Sequence, residues 1–258
     1  MHIEKALDFI YQHGRSECDA FDVVAGVNAS SGISVFQGKL KDTEISNSSG
    51  IGVRVFRNGC PGYAFTESLE ENALKQMFAD AISHTEFTQI LPIELPKPTL
   101  PGCEREHYHP EVENCSFEQM KELCLSIEKL SLESPEIENV PYLGSGKSVS
   151  QIYLMNSNGI SYSRQSSHLS TSVGVVACRN SVKKLGVYSQ VVFDVKDFDG
   201  NKIATKAVEK AKSLLGARSI ASGNYPVIFS EEISGNVISM YASSFSADSV
   251  QKGNSRLK

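Results

Sequence analysis

Three groups of residues in this 258-residue chain are of types that could do chemistry. Gly144-Ser145-Gly146-Lys147-Ser148 has the glycines, lysine and hydroxyl of a phosphate-holding loop. Such a loop needs a further Gly five residues before Gly146, where Pro141 stands, and it must lead into a helix whose first amides face the phosphate. Val149-Ser150-Gln151-Ile152-Tyr153-Leu154 follows instead and reads as a strand, so the pentapeptide is expected to be a flexible Gly/Ser turn. His107 and His109, with Cys103 and Cys115 on either side, supply four possible zinc donors. Their spacing matches no compact finger or ribbon, and the stretch is proline-rich, so it reads as a solvated linker. His168 falls in a predicted strand as a packed or edge residue, since a Ser-His-Asp triad is a spatial arrangement.

The remaining hydrolase signatures are missing. No His is followed by Glu, which removes H-E-x-x-H and H-E-x-x-x-H helices, and no G-x-S-x-G elbow occurs. Lys183, Lys184, Lys206, Lys210, Lys212 and Arg218 make the second half locally basic, as a solvated helix face would. The residues alone therefore locate no catalytic or metal site.

The elements that would position these groups form two similar series. Ile3, Ala6, Leu7 and Ile10 recur with helical spacing, and Gly14 is expected to stop that helix as a left-handed cap. Phe21–Val27, Ile33–Phe36 and Ile51–Phe56 read as strands separated by Ser/Gly/Asn clusters, and Asn58-Gly59 as a tight hairpin turn. Ser68 and Glu71 predict a capping box for a second helix carrying Leu69, Ala73, Met77, Phe78, Ala81 and Ile82 inward. Five of the nine prolines then fall between residues 92 and 110, an extended connector.

The second half repeats the plan. Ser116 and Gln119 cap a helix with Phe117, Met120, Cys124 and Ile127 on one face. Strand-like runs follow from Val149 to Val195, and Asp199 opens a helix with Ile203, Ala207, Val208, Ala211, Leu214 and Leu215 inward. The tail offers a short strand, Pro226–Phe229, and a helix capped by Ser230 through about Phe245. The expected class is α+β: two helix–antiparallel meander–helix domains with the start of a third C-terminal region. The boundaries are 1–91, a connector at 92–115, a middle domain at 116–222, and a region at 223–258 that reads as truncated.

Composition narrows the class of partner. Lys plus Arg number 25 against 30 Asp plus Glu, a formal charge of −5, which argues against non-specific nucleic-acid binding. The longest apolar runs fall far short of a spanning helix, and Glu4, Lys5 and Asp8 interrupt any secretory pattern. Six scattered cysteines read as free thiols in a reducing cytoplasm.

Three stretches together resemble the TldD/PmbA family. They are Gly50-Ile51-Gly52-Val53-Arg54-Val55-Phe56-Arg57-Asn58-Gly59 continuing to Gly62–Thr66, Ala211–Ala217 leading to Gly223–Phe229, and Phe245–Gly253. The resemblance implies a cytoplasmic bacterial or archaeal protein from a two-component zinc metallopeptidase. In that heterodimer a TldD-type subunit carries zinc on an H-E-x-x-x-H helix and a PmbA-type (TldE) subunit does not, and the pair encloses a chamber for unfolded peptides. The family's older name, modulator of DNA gyrase, reflects peptide substrates that act on gyrase and implies no DNA contact.

Counting from Pro226, the metal helix falls on Ser239-Met240-Tyr241-Ala242-Ser243-Ser244. Ser239 and Ser244 replace the two histidines and Met240 the glutamate. A serine hydroxyl is a poor zinc ligand beside imidazole, and a thioether cannot take a proton from water. The resemblance is thus to the PmbA/TldE type, a pseudoenzyme subunit. It implies no catalytic residue, metal ligand or cofactor in this chain, zinc in a TldD-type partner, no membrane contact and a possible homodimer in isolation. Two other readings stand beside it: a stand-alone peptide- or protein-binding module, and a hydrolase with hidden serine chemistry.

Overall fold

The computed structural model of the chain describes residues 2–91, 94–98 and 107–255. Residues Met1–Ala217 and Arg218–Lys258 form two compact units. In the first, helix α1 (Ile3–Glu17) precedes strands β1 (Ala20–Phe36), β2 (Lys39–Arg57) and β3 (Cys60–Thr66), then helix α2 (Glu71–His84). A single turn, α3 (Pro110–Glu113), leads to helix α4 (Phe117–Leu132), strands β4 (Ile137–Asn156), β5 (Ser161–Arg179) and β6 (Val182–Val192), and helix α5 (Gly200–Ser213).

The six strands form one antiparallel sheet in the order β3-β2-β1-β4-β5-β6. Two meanders lie back to back, joined where β1 pairs with β4 from Asp22↔Asn156 to Ser34↔Gly144. The sheet is therefore continuous across the two halves of the sequence. Opposed residues share a face and alternate along a strand, so each strand offers one side to the helices. β1 offers Phe21, Val23 and Ala25 to a core with Leu7, Ile10, Leu74 and Phe78 of α1 and α2. Farther along, the same face offers Ile33 and Val35 to a second core with Met120, Cys124, Ile127, Ile203 and Ala207 of α4 and α5. One long strand thus serves both cores.

Several expectations change. The Ser/Gly/Asn clusters predicted as breaks lie inside β1 and β2, and Gly144-Ser145-Gly146-Lys147-Ser148 lies inside β4 rather than in a turn. Strand preference is a matter of fit to neighbouring strands, and continuous pairing overrides the weak preference of Ser and Gly. Gly14 does not end α1. It is buried within the helix because a Cβ there would come 2.8 Å from the Phe21 ring and 3.0 Å from Phe78. α2 begins at Glu71 without a side-chain cap, and the Ser68 hydroxyl accepts from Glu70 N–H at 3.3 Å instead.

The turn at Asn58-Gly59 and the caps at Ser116, Asp199 and Ser230 form as expected, with both bonds of the Ser116–Gln119 capping box present. Pro92, Pro101 and Cys103 lie outside the described residues. The described parts of the connector are held rather than merely solvated. Leu95 and Pro96 carbonyls accept from Asn158 Nδ2 at 2.7 Å and Asn156 Nδ2 at 2.8 Å.

In the second unit, residues 224–230 form no strand, since no neighbouring strand pairs with them among the described residues. Helix α6 (Glu231–Ala242) follows, extended by a 3-10 turn at Ser243–Phe245, and then helix α7 (Ala247–Gln251).

Candidate functional site

The segment 239–244 is built by α6. Ser230 Oγ accepts from Ile233 N–H at 3.4 Å, and Glu231 and Glu232 place negative charge in the first turn, where the helix dipole favours it. Ser239 and Met240 occupy the last turn, and Met240 is 77% exposed. Ser244 lies in the 3-10 turn, where its carbonyl accepts from Ser255 Oγ at 2.7 Å. Zinc is held by imidazole, thiolate or carboxylate. The last histidine of the sequence is His168 and the last cysteine Cys178, so the second unit contains neither. Hydroxyl, thioether and hydroxyl at 239, 240 and 244 do not fit a zinc ion. Among the described residues, no group of three or more His, Cys, Asp or Glu stands close enough to hold a metal.

The other candidates are drawn into structural work. Lys147 Nζ donates to the Cys115 carbonyl at 2.7 Å and also to that of Glu113, anchoring the α3–α4 junction to β4. Its ammonium is thereby engaged by backbone rather than presented to phosphate. Ser167 N–H donates to the His107 carbonyl at 2.8 Å and His109 N–H to Ser167 Oγ at 2.9 Å, so this stretch is fastened along β5 by its backbone. Cys115 is buried, and Cys103 lies outside the described residues. His168 is paired across strands with Ser148, whose hydroxyl donates to Asn28 Oδ1 at 2.9 Å. No base–nucleophile pair forms there. Burial pushes the Cys18 thiol up to about 11 and that of Cys124 to about 12, so neither is an ionised nucleophile near neutrality.

Sequence reasoning missed two features of the sheet. The first is its edges. β3 is closed along its outer side, because the carbonyls of Gly59, Pro61 and Tyr63 meet Leu91 N–H at 2.9 Å, Thr88 Oγ1 at 2.7 Å and His84 Nδ1 at 2.7 Å. β2 from Lys39 to Gly50 pairs only with β1 among the described residues, and its first ten residues are exposed throughout. Alternate residues there turn backbone groups away from β1 with no further strand beside them among the described residues, although Thr43 N–H donates to Asp42 Oδ1 at 2.8 Å. The second feature is the face turned away from the helices. At its centre Gly26 opposes Gly50, Asn28 opposes Ser48 and Ser150 opposes Ser166, while Phe65, 80% exposed, and Ile152 flank the glycines. The signal lay in the alternation of Gly and Ser at every second position, legible only once the strand register is known.

Comparisons with known proteins agree over most of the chain. Models of the PmbA/TldA metallopeptidase match as domain 1 over residues 21–84, the central domain over 110–215 and the C-terminal domain over 222–258. An uncharacterized protein of Methanocaldococcus jannaschii is 25% identical over 217 residues, covering 82% of this chain and 47% of its own length. The chain thus spans about half the length of that relative. Among solved structures, a candidate modulator of a DNA gyrase from Thermotoga maritima superposes with a TM-score of 0.87 at 20% identity, covering 100% of this chain and 59% of the other. A similarly described protein from Bacteroides thetaiotaomicron gives 0.84 at 17%, covering 98% and 58%. TldE from Thermococcus kodakarensis gives 0.71 at 17%, covering 80% and 47%. These likenesses carry the fold, and with the three family models matching in order along the sequence, the chain belongs to the PmbA/TldD family.

Proposed function

We propose that this chain is the non-catalytic, PmbA/TldE-like subunit of a two-component zinc metallopeptidase that acts on unfolded peptides. The observation that carries this reading is the Ser239, Met240, Ser244 set in place of His, Glu, His. A metallopeptidase needs a metal to lower the pKa of water and a carboxylate to accept its proton. This chain offers neither group at that position, so the zinc and the general base belong to a TldD-type partner. The role left to this chain is to wall the chamber and hold substrate. The free edge of β2 from Lys39 to Gly50 can add an extended peptide as a further strand, because backbone pairing requires no particular side chains.

The test is to purify the chain alone and together with a subunit bearing H-E-x-x-x-H. Zinc content is measured by mass spectrometry and cleavage with an unfolded peptide substrate. Zinc far below one per chain, with cleavage only in the mixture, is the expected result. One zinc per chain, or cleavage by the chain alone, would overturn the reading.

A further inference from the structure

Helix α4, the turn between β1 and β2 and the start of β4 line an open cavity of about 540 Å3, within the range of small-molecule sites. Phe36, Leu125, Leu132 and Val140 give it apolar walls. Glu128 also lines it, though this residue is only 6% exposed. One carboxylate oxygen, Oε2, accepts from Gly38 N–H at 2.8 Å. The other, Oε1, has no hydrogen-bond partner among the described residues. It is not sealed in either, since Ser134 Oγ is the one fully buried side-chain oxygen or nitrogen without a partner among those residues. Oε1 is therefore not fully buried, on a residue that lines the cavity.

The surroundings favour a cation. Glu133 and Glu138 line the same space as Glu128, against the single Lys129. Lys183 already engages Glu138, and Lys129 makes no ion pair with Glu128 among the described residues. A ligand that covers this carboxylate oxygen must supply a donor in place of water, and a charged donor makes the strongest bond to it. A carboxylate ligand would meet like charge, and a purely apolar one would leave Oε1 unmet.

We infer that this cavity binds a primary ammonium carried on a short apolar stem. The ammonium donates to Glu128 Oε1 and the stem packs against Phe36, Leu125 and Leu132. A free amine and a lysine side chain of a polypeptide share that chemistry. The site uses no residue of the segment 239–244, and its occupancy does not depend on the proposed role of the chain.

The experiment is a titration of the chain with phenethylamine and with an acetylated, amidated Gly-Lys-Gly peptide, followed by NMR. Phenethyl alcohol and phenylacetate serve as controls. Saturable shifts around Gly38, Phe36 and Leu132 are expected with at least one ammonium probe. Binding by phenethylamine alone assigns the site to free amines, and binding by the peptide assigns it to lysine side chains. The alcohol should bind about 10-fold more weakly, the worth of one charge-assisted hydrogen bond. Glu128→Gln keeps an acceptor for Gly38 N–H and should show the same loss. Leu132→Lys, at an exposed position, places a tethered ammonium beside the cavity and should displace the probe. Equal binding of the alcohol, unchanged affinity in Glu128→Gln, or no saturable shift with either ammonium would overturn the inference.

Discussion

Gly62 of β3 lies directly beneath the Ala81 carbonyl of α2, so that a methyl group on Gly62 would overlap that oxygen. The second meander repeats the device. A methyl on Gly186 of β6 would overlap the Ala207 carbonyl and the Ala211 amide of α5. In each half the outermost strand carries a glycine where the helix settles closest to the sheet. Gly62→Ala and Gly186→Ala are each expected to cost about 2 kcal/mol or more, since backbone cannot yield as a flexible side chain does. Urea unfolding of the two variants against the parent measures this, and a midpoint unchanged in both would contradict the close approach.

Gly26 makes the opposite case. A Cβ there meets nothing nearer than the Gln151 carbonyl at 4.0 Å, and the position is extended strand. Gly26→Ala should therefore be neutral or stabilising by about 0.5 kcal/mol, through reduced freedom of the unfolded chain. A loss comparable to that of Gly62→Ala would show that the open face is packed in solution.

The bond between Gly38 N–H and Glu128 joins residues 90 positions apart and ties the β1–β2 turn to α4. Glu128→Ala removes a hydrogen bond to a charged group and is expected to cost about 2 kcal/mol. That corresponds to a fall in Tm of about 4–8 °C for a unit of this size. Thermal melting followed by circular dichroism reads the shift, and Glu128→Gln should remain near the parent.

Alkaline pH should weaken the fold through Cys124. Burial raises its thiol from 9.0 to about 12, with Glu128 adding to the effect, so the folded state keeps a proton that the unfolded state has released. The contribution is complete below pH 9 and is lost as pH rises toward about 12. Urea midpoints between pH 8 and 11 should fall less steeply in Cys124→Ala than in the parent. Parallel slopes would exclude this thiol as the cause.

If β2 receives a peptide strand, those amides between Lys39 and Ser49 that point away from β1 should gain hydrogen-exchange protection when an unfolded peptide is added in excess. Those around Gly59–Tyr63, whose edge is already closed, should not. Uniform protection, or none, would remove the edge from the proposed function.

Local chemistry made part of this protein legible in advance. The caps at Ser116, Asp199 and Ser230, the Asn58-Gly59 turn and the apolar stripes of α4 and α5, apart from Phe117 and Leu214 at their ends, which are exposed, depend on residues within one or two turns of each other. Likewise, the lack of histidine beyond His168 is a fact of composition. The strands were less legible, because Gly144-Ser145-Gly146 is extended only through β1 on one side and β5 on the other. Ser148 meets Asn28 across a separation of 120 residues, and no local preference of serine or glycine encodes that pairing. The same holds for Gly14, which as punctuation predicts a helix end and in the packed molecule makes room for Phe21 and Phe78. Tertiary structure also decided that β3 is closed, that β2 is open and that Glu128 meets Gly38 beside a cavity. Each depends on which distant groups satisfy a backbone or side-chain polar atom, and only the folded chain brings those groups together.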